Sequence, residues 1–157
     1  AIKQGAVAIV ADHKIDDCSV PVLVVHDTHE ALGQIAKYWR ASNNWLVVAI
    51  TGSNGKTSVK EMACCVLSEK YKTQATQGNL NNDFGVPLTI LATPAKTEAL
   101  VVEMGANHLG EIAYLTDIAK PDIALVNNIT SAHIEGFGSL EGVAQAKAEI
   151  YSGLKAK

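Results

Sequence analysis

The chain of 157 residues suits one domain or parts of two, and at 48% hydrophobic and 18% charged it can bury a core. Its formal net charge of -3, from 13 basic and 16 acidic side chains, runs against a nucleic-acid footprint. No apolar run is long enough to span a membrane and no signal-peptide pattern opens the chain.

In chain order, the apolar runs Ala6 to Ala11 and Val22 to Val25 read as buried strands. Cys18 stands alone between them. Cys64 and Cys65 are neighbours further on, so the three cysteines give no disulfide framework and read as buried reduced thiols. Asp27 with Glu30 three residues later fits a helix-opening capping box. Leu32, Ile35, Ala36 and Trp39 then repeat at helical spacing. The polar stretch Ala41 to Asn44 reads as a linker, which places a domain boundary at residues 43 and 44.

Beyond the linker the pattern alternates. Leu46 to Thr51 is a continuous apolar strand. Lys56 to Tyr71 is a helix with Val59, Met62, Ala63, Val66 and Leu67 on one face. Thr73 to Thr76 reads as a short strand, and Phe84 to Leu91 as a short helix with Pro87 in its first turn. Ala99 to Met104 and Ile123 to Asn127 are strands flanking a helix over Leu109 to Ala119. Leu140 to Leu154 closes as a helix. Alternating apolar strands and helices imply an α/β fold with a mostly parallel sheet covered on both faces.

The chemistry concentrates after the strand that ends at Thr51. The segment "TGSNGKTS" runs from that strand into a helix, so unpaired backbone N–H groups converge on one point. Gly52 and Gly55 let the backbone curl around a phosphate. Lys56 supplies a cation for β- and γ-phosphates, and Thr57 supplies a hydroxyl for Mg²⁺. Ile50 stands where the first glycine of the common phosphate loop would be, so this loop is a shorter variant. A guanine-reading N-K-x-D is absent, which argues against a GTPase. Glu103 ends the neighbouring apolar strand, where a carboxylate lies at the mouth of the sheet and suits a divalent cation. Asn127 and Asn128 end the next strand at the same mouth. Read without further context, Lys147 is an exposed helix lysine, and Asn79, Asn81 and Asn82 are turn formers.

Four segments then carry a resemblance. "TGSNGKTSVKEM", "GNLNNDFGVPLTIL", "VVEMGANHLGEIAYLTDIAKPDIALVNNI" and "SAHIEGFGSLEGVAQAKAEIYSGL" together are similar to the Mur ligases of peptidoglycan synthesis, over about Gly5 to Leu154. That family uses the short T-G-x-N-G-K-T loop. "GANHLGEI" and "AHIEGFGSLEGVA" favour the member that joins D-Ala-D-Ala to UDP-MurNAc-tripeptide. Another Mur ligase, a folylpolyglutamate synthase-like ligase, and a non-catalytic nucleotide-binding module stand as alternatives.

The resemblance implies a P-loop NTPase-like central domain. Residues 1–43 would end an N-terminal UDP-sugar-binding domain, and residues 44–157 would form the first part of the ATP-binding domain. A C-terminal domain would lie outside this chain, leaving the piece inactive by itself. It implies an ATP-dependent peptide ligase, monomeric, cytoplasmic and bacterial, working through an acyl phosphate.

Residue by residue, Gly52, Ser53, Asn54, Gly55, Lys56, Thr57 and Ser58 would hold ATP. Thr57, Glu103 and His133 would hold one or two Mg²⁺ ions. Lys56, His133 and Lys147 would be catalytic, with Lys147 carried as a carbamate. Asn79, Asn81, Asn82, Asn107 and His108 would face substrate. Ser53 stands where several relatives carry Thr, a change that keeps the hydroxyl.

Overall fold

The computed structural model describes residues 1–130 and 134–154. A 3-10 turn (Ile2–Gln4) leads into two short strands, β1 (Ile9–Ala11) and β2 (Val22–Val24), which pair in parallel as a small sheet of their own. β1 begins three residues later than its apolar run, and Val7 lies in solvent. Helix α1 (Thr28–Ala41) starts at the capping box: the Asp27 carboxylate accepts the N–H groups of His29 and Glu30.

The main sheet contains β3 (Leu46–Thr51), β4 (Thr73–Ala75), β5 (Ala99–Glu103) and β6 (Ile123–Val126). Its order is β4-β5-β3-β6 and every pair is parallel. The chain leaves β3 toward β4 and β5 on one side, then returns to place β6 on the other. The carboxyl end of β3 is therefore a topological switch point, where open α/β sheets bind ligands.

The helices between these strands are α2 (Lys56–Ser68), α3 (Gly85–Ala92) and α4 (Glu111–Ala119). After β6 come α5 (Ile134–Phe137), α6 (Leu140–Ala148) and a 3-10 turn (Glu149–Tyr151). Directly paired residues in a parallel ladder share a face. Val47, Ala49, Leu100 and Val102 point one way, onto Ile90, Ile112, Leu115 and Ile150, and this is the main core. Helix α2 packs on the opposite face, against β4, β5 and β3. Both faces are thus covered, and among the described residues no helix is long and apolar enough to cross a membrane.

Helix α1 packs on α3 and α4, with Ala36 fully buried in the main core. The buried Arg40 fixes its end. The guanidinium donates to the carbonyls of Ala119 (2.8 Å), Asn43 (2.9 Å) and Lys120 (3.1 Å) and lies 3.5 Å from the Asp122 carboxylate. Asp122 in turn accepts the N–H of Val47 at the start of β3.

Four expectations need correction. The predicted apolar face of α2 is only partly the inner one: Val59, Ala63 and Leu67 are half-buried, but Met62 and Val66 are 67% and 72% exposed, while Lys60 is buried. The aliphatic residues set a helical period, but Lys60 also turns inward because its ammonium meets the carbonyl of the buried Thr76. α2 also ends at Ser68, before Tyr71. The thiols are free but not buried, with Cys65 exposed and Cys18 and Cys64 half-buried. Lastly, the closing helix ends at Ala148 and tightens into the 3-10 turn, and Lys147 on it is buried rather than exposed.

Candidate active site

The loop after β3 curls at Gly55, whose φ of 71° is the left-handed conformation that glycine adopts without strain. Helix α2 begins at the next residue. Lys56, Thr57 and Ser58 thus lie in the first turn, whose N–H groups have no acceptor within the helix. Lys56 folds back, and its ammonium donates to the carbonyls of Gly52 (2.9 Å) and Ser53 (3.5 Å).

The loop is stitched to the segment after β6. Ser53 N–H donates to the Asn128 carbonyl, and Asn54 N–H to the Asn128 side chain. The amides of Asn127 and Asn128 both donate to the Asn54 carbonyl, at 2.8 and 3.0 Å. The Ser53 hydroxyl accepts the Thr130 N–H at 3.0 Å. The N–H groups of Ser53 and Asn54 are therefore engaged with protein acceptors, while those of the first turn of α2 are directed at the cleft.

Glu103 ends β5 on the face toward α2 and is 2% exposed. One carboxylate oxygen accepts the Thr57 hydroxyl at 2.9 Å, and the other accepts the Asn81 amide at 2.8 Å. Among the described residues no lysine, arginine or histidine forms an ion pair with it. A buried carboxylate held by two neutral donors lacks a cation. Burial of an unpaired charge is costly, so this donor set fits Mg²⁺, which takes hard oxygen ligands. No group of three or more His, Cys, Asp or Glu side chains gathers among the described residues.

Beside this cluster a cleft of about 180 Å³ is lined by Gly52, Lys56, Asn81, Asn107, Glu111 and Lys147, among others. Lys147 comes from α6, more than ninety positions after Lys56, and is 3% exposed. Its ammonium lies 3.5 Å from the Ala106 carbonyl and 5.4 Å from the centre of the Phe137 ring. Burial, and then the charge of Lys56, push its pKa down against the pull of Glu111 and Glu149. The Glu149 carboxylate accepts the N–H groups of Gly110 and Ala113 at the start of α4, which pins the end of α6 to that helix.

The remaining sequence-predicted residues fall in different places. Asn82 lies on the cleft, but its side chain also accepts the N–H of Gly85 at the start of α3 (2.8 Å). Asn79 is exposed, and its carbonyl accepts the N–H of Asn81. His108 is turned to Glu111, at 3.0 Å, rather than to Glu103. Ser58 is exposed on the first turn of α2. His133 lies outside the described residues. Glu111 was not anticipated. Burial pushes its carboxyl up, but hydrogen bonds from the Asn107 N–H and His108 outweigh this and lower it. Its sequence signal was faint, because an acidic residue in a first helical turn is ordinary.

The family model of the Mur ligase middle domain matches residues 50–157. The UDP-N-acetylmuramoyl-tripeptide--D-alanyl-D-alanine ligase of Haemophilus influenzae is 51% identical over 158 aligned positions, covering 98% of this chain and 35% of that protein. The Escherichia coli enzyme of the same name is 51% identical over 96% of this chain and 33% of its own length. A crystal structure of MurF from Acinetobacter baumannii superposes with a TM-score of 0.91 at 42% identity, over 99% of this chain and 34% of that one. The MurF of Thermotoga maritima, solved in complex with ADP, superposes with a TM-score of 0.89 at 37% identity, over 98% and 36%. The chain spans about a third of the length of these relatives.

Proposed function

Because the chain belongs to the Mur ligase family, we propose that it is the ATP-binding part of the ligase that joins D-Ala-D-Ala to UDP-MurNAc-tripeptide. The observation that carries this is the buried Glu103, held between Thr57 and Asn81 beside the Lys56 loop. That is a site for a metal-bound polyphosphate at the switch point of the sheet. The named relatives supply the substrate class.

A carboxylate does not condense with an amine unaided, because its oxygen is a poor leaving group. The terminal carboxylate oxygen of the tripeptide attacks the γ-phosphorus of ATP, and ADP leaves with the electron pair of the broken P–O bond. The product is an acyl phosphate. The amine of D-Ala-D-Ala then attacks the acyl carbon and loses a proton. The tetrahedral adduct collapses, expels phosphate and leaves the amide.

Phosphoryl transfer needs alignment and charge neutralisation more than covalent help from the protein. The first-turn N–H groups of α2 would hold the phosphates, and Lys56 would exchange the Gly52 carbonyl for their oxygens. Thr57 and Glu103 would hold Mg²⁺, which supplies positive charge to the β- and γ-phosphates. Asn81 and Asn107, which line the cleft, would orient the tripeptide carboxylate by hydrogen bonding without adding charge.

Lys147 faces Lys56 across this cleft. A depressed pKa leaves more of it as the neutral amine that adds CO₂ and releases a proton to become a carbamate. The resulting anion, with His133, would serve a second Mg²⁺. The remaining substrate contacts fall to domains that precede and follow this part, in a monomeric cytoplasmic enzyme.

The test is phosphate release by the full-length protein with MgATP and UDP-MurNAc-tripeptide, with and without D-Ala-D-Ala. Release that depends on D-Ala-D-Ala is expected, and Lys56→Ala should lower it by about 10²–10³-fold. Release that needs a single amino acid instead would move the protein to another member of the family. No release with any acceptor would leave a nucleotide-binding module.

A further inference from the structure

Lys60 is a buried cation that the chemistry above does not use. It lies one helical turn after Lys56 and is 2% exposed. Its ammonium donates to the Thr76 carbonyl at 2.7 Å and pairs with the Glu61 carboxylate at 2.6 Å. An ammonium buried this completely is costly, and of its two acceptors the Glu61 carboxylate is exposed while the Thr76 carbonyl belongs to a buried residue.

Thr76 is itself 1% exposed and stands where β4 passes into the loop of Asn79, Asn81 and Asn82. Its N–H donates to the Val101 carbonyl at 3.0 Å, which fixes it to β5. Its hydroxyl accepts the N–H of Glu103 at 3.0 Å. One residue thus receives Lys60 on its carbonyl and Glu103 on its hydroxyl. The same residue anchors the loop whose Asn81 amide reaches the other side of the Glu103 carboxylate.

We propose that Lys60, acting through Thr76, is a positioning residue that holds Glu103 and Asn81 in register with Thr57 for the nucleotide's Mg²⁺. This rests on the reading of Glu103 as a Mg²⁺ ligand. Helix α2 carries the chain Lys60–Thr76–Glu103 at one level and Thr57–Glu103 a turn earlier. The helix therefore grips the β5 carboxylate twice, once at its oxygen and once through the backbone behind it. Loss of Lys60 frees the Thr76 carbonyl and the start of the loop. Loss of the Thr76 hydroxyl leaves the Glu103 N–H without its acceptor. Either change loosens the carboxylate without removing a ligand.

The experiment measures binding of the non-hydrolysable analogue AMPPNP to the full-length protein by calorimetry across a Mg²⁺ series. Variants are Lys60→Met, Thr76→Val and Thr76→Ser. Lys60→Met and Thr76→Val should each raise the Mg²⁺ concentration for half-maximal binding about tenfold, as loss of an outer-shell partner does at metal sites. Thr76→Ser, which keeps the hydroxyl, should bind like wild type. Folded Lys60→Met and Thr76→Val proteins with unchanged Mg²⁺ dependence and only a lower Tm would overturn the proposal. If Lys60→Met does not fold, the near-isosteric Thr76→Val against Thr76→Ser decides by itself. No acceptor amine is present, so a failure of the ligase reading shows in the phosphate-release assay and not here. Binding by the wild type without any need for Mg²⁺ would overturn the metal site and this proposal together.

Discussion

Lys56 and Lys147 bring like charges into one cleft, and the structure accommodates them differently. Lys56 is half-buried and rests on loop carbonyls that a phosphate can replace. Lys147 is buried beside an aromatic face and a single long carbonyl contact, so its ammonium is poorly solvated. The sign of its pH effect follows. The folded protein binds this proton more weakly than the unfolded chain, whose lysine has its ordinary value of 10.5. The stability penalty is therefore full below the folded pKa and is relieved as pH rises through the window up to 10.5. Lys147→Met removes the penalty. The variant should fold at least as stably at neutral pH, and the wild type should gain Tm relative to it as the solution is made alkaline. The same variant should lose ligase turnover. Thermal melts at neutral and alkaline pH with parallel assays check both. A variant that is both less stable and fully active would contradict the reading.

At the scale of elements, the loop between β4 and α3 shows how local turn chemistry positions a site. Asn81 and Asn82 divide the work. Asn81 turns its amide to Glu103, and its carbonyl accepts the Gly105 N–H at 2.7 Å. Asn82 instead satisfies the first turn of α3. The three asparagines looked alike in the sequence, and only the backbone path distinguished them. That path requires close approach at Gly85, where a Cβ would overlap the backbone of Leu80. Gly85→Ala should cost about 2 kcal/mol by overpacking and should displace Asn81 from Glu103. Thermal unfolding and the Mg²⁺ requirement should shift together. A variant with wild-type values for both would show that the loop yields without consequence. α2 teaches the complementary lesson. Its apolar spacing was legible, but the Thr76 carbonyl that receives the buried Lys60 lies just after β4, beyond any window along the helix.

At the scale of the whole molecule, Arg40 joins three parts. Its guanidinium serves the end of α4, the turn after α1 and, through Asp122, the Val47 N–H near the start of β3. This fastens α1 to the layer of α3 and α4. Arg40→Leu keeps much of the packing volume but strips several buried carbonyls of their donor. A loss of about 3 kcal/mol is expected from a broken buried network. It is measurable by denaturant unfolding, with no change in nucleotide affinity at temperatures where the variant is folded. A loss of nucleotide affinity in the folded variant would instead show that α1 is coupled to the phosphate loop.

The sequence by itself determined the strand–loop–helix turn of the candidate site, the parallel α/β class and the carboxylate at the end of β5. Each is written in contiguous residues with a period or a turn chemistry of its own. The four resembling segments likewise lie in one order along the chain. Tertiary structure alone decided which residues meet at the mouth of the sheet. Lys147 is buried because α6 packs on α4 and α5 beside Ala106 and Phe137, and Glu111 enters the cleft because α4 begins there. Lys60 is an internal anchor because Thr76 offers its carbonyl across the α2–β4 contact. Burial and hydrogen-bond partnership are relations between distant segments. A lysine on a helix carries no mark of them until the sheet order β4-β5-β3-β6 brings its partners within reach.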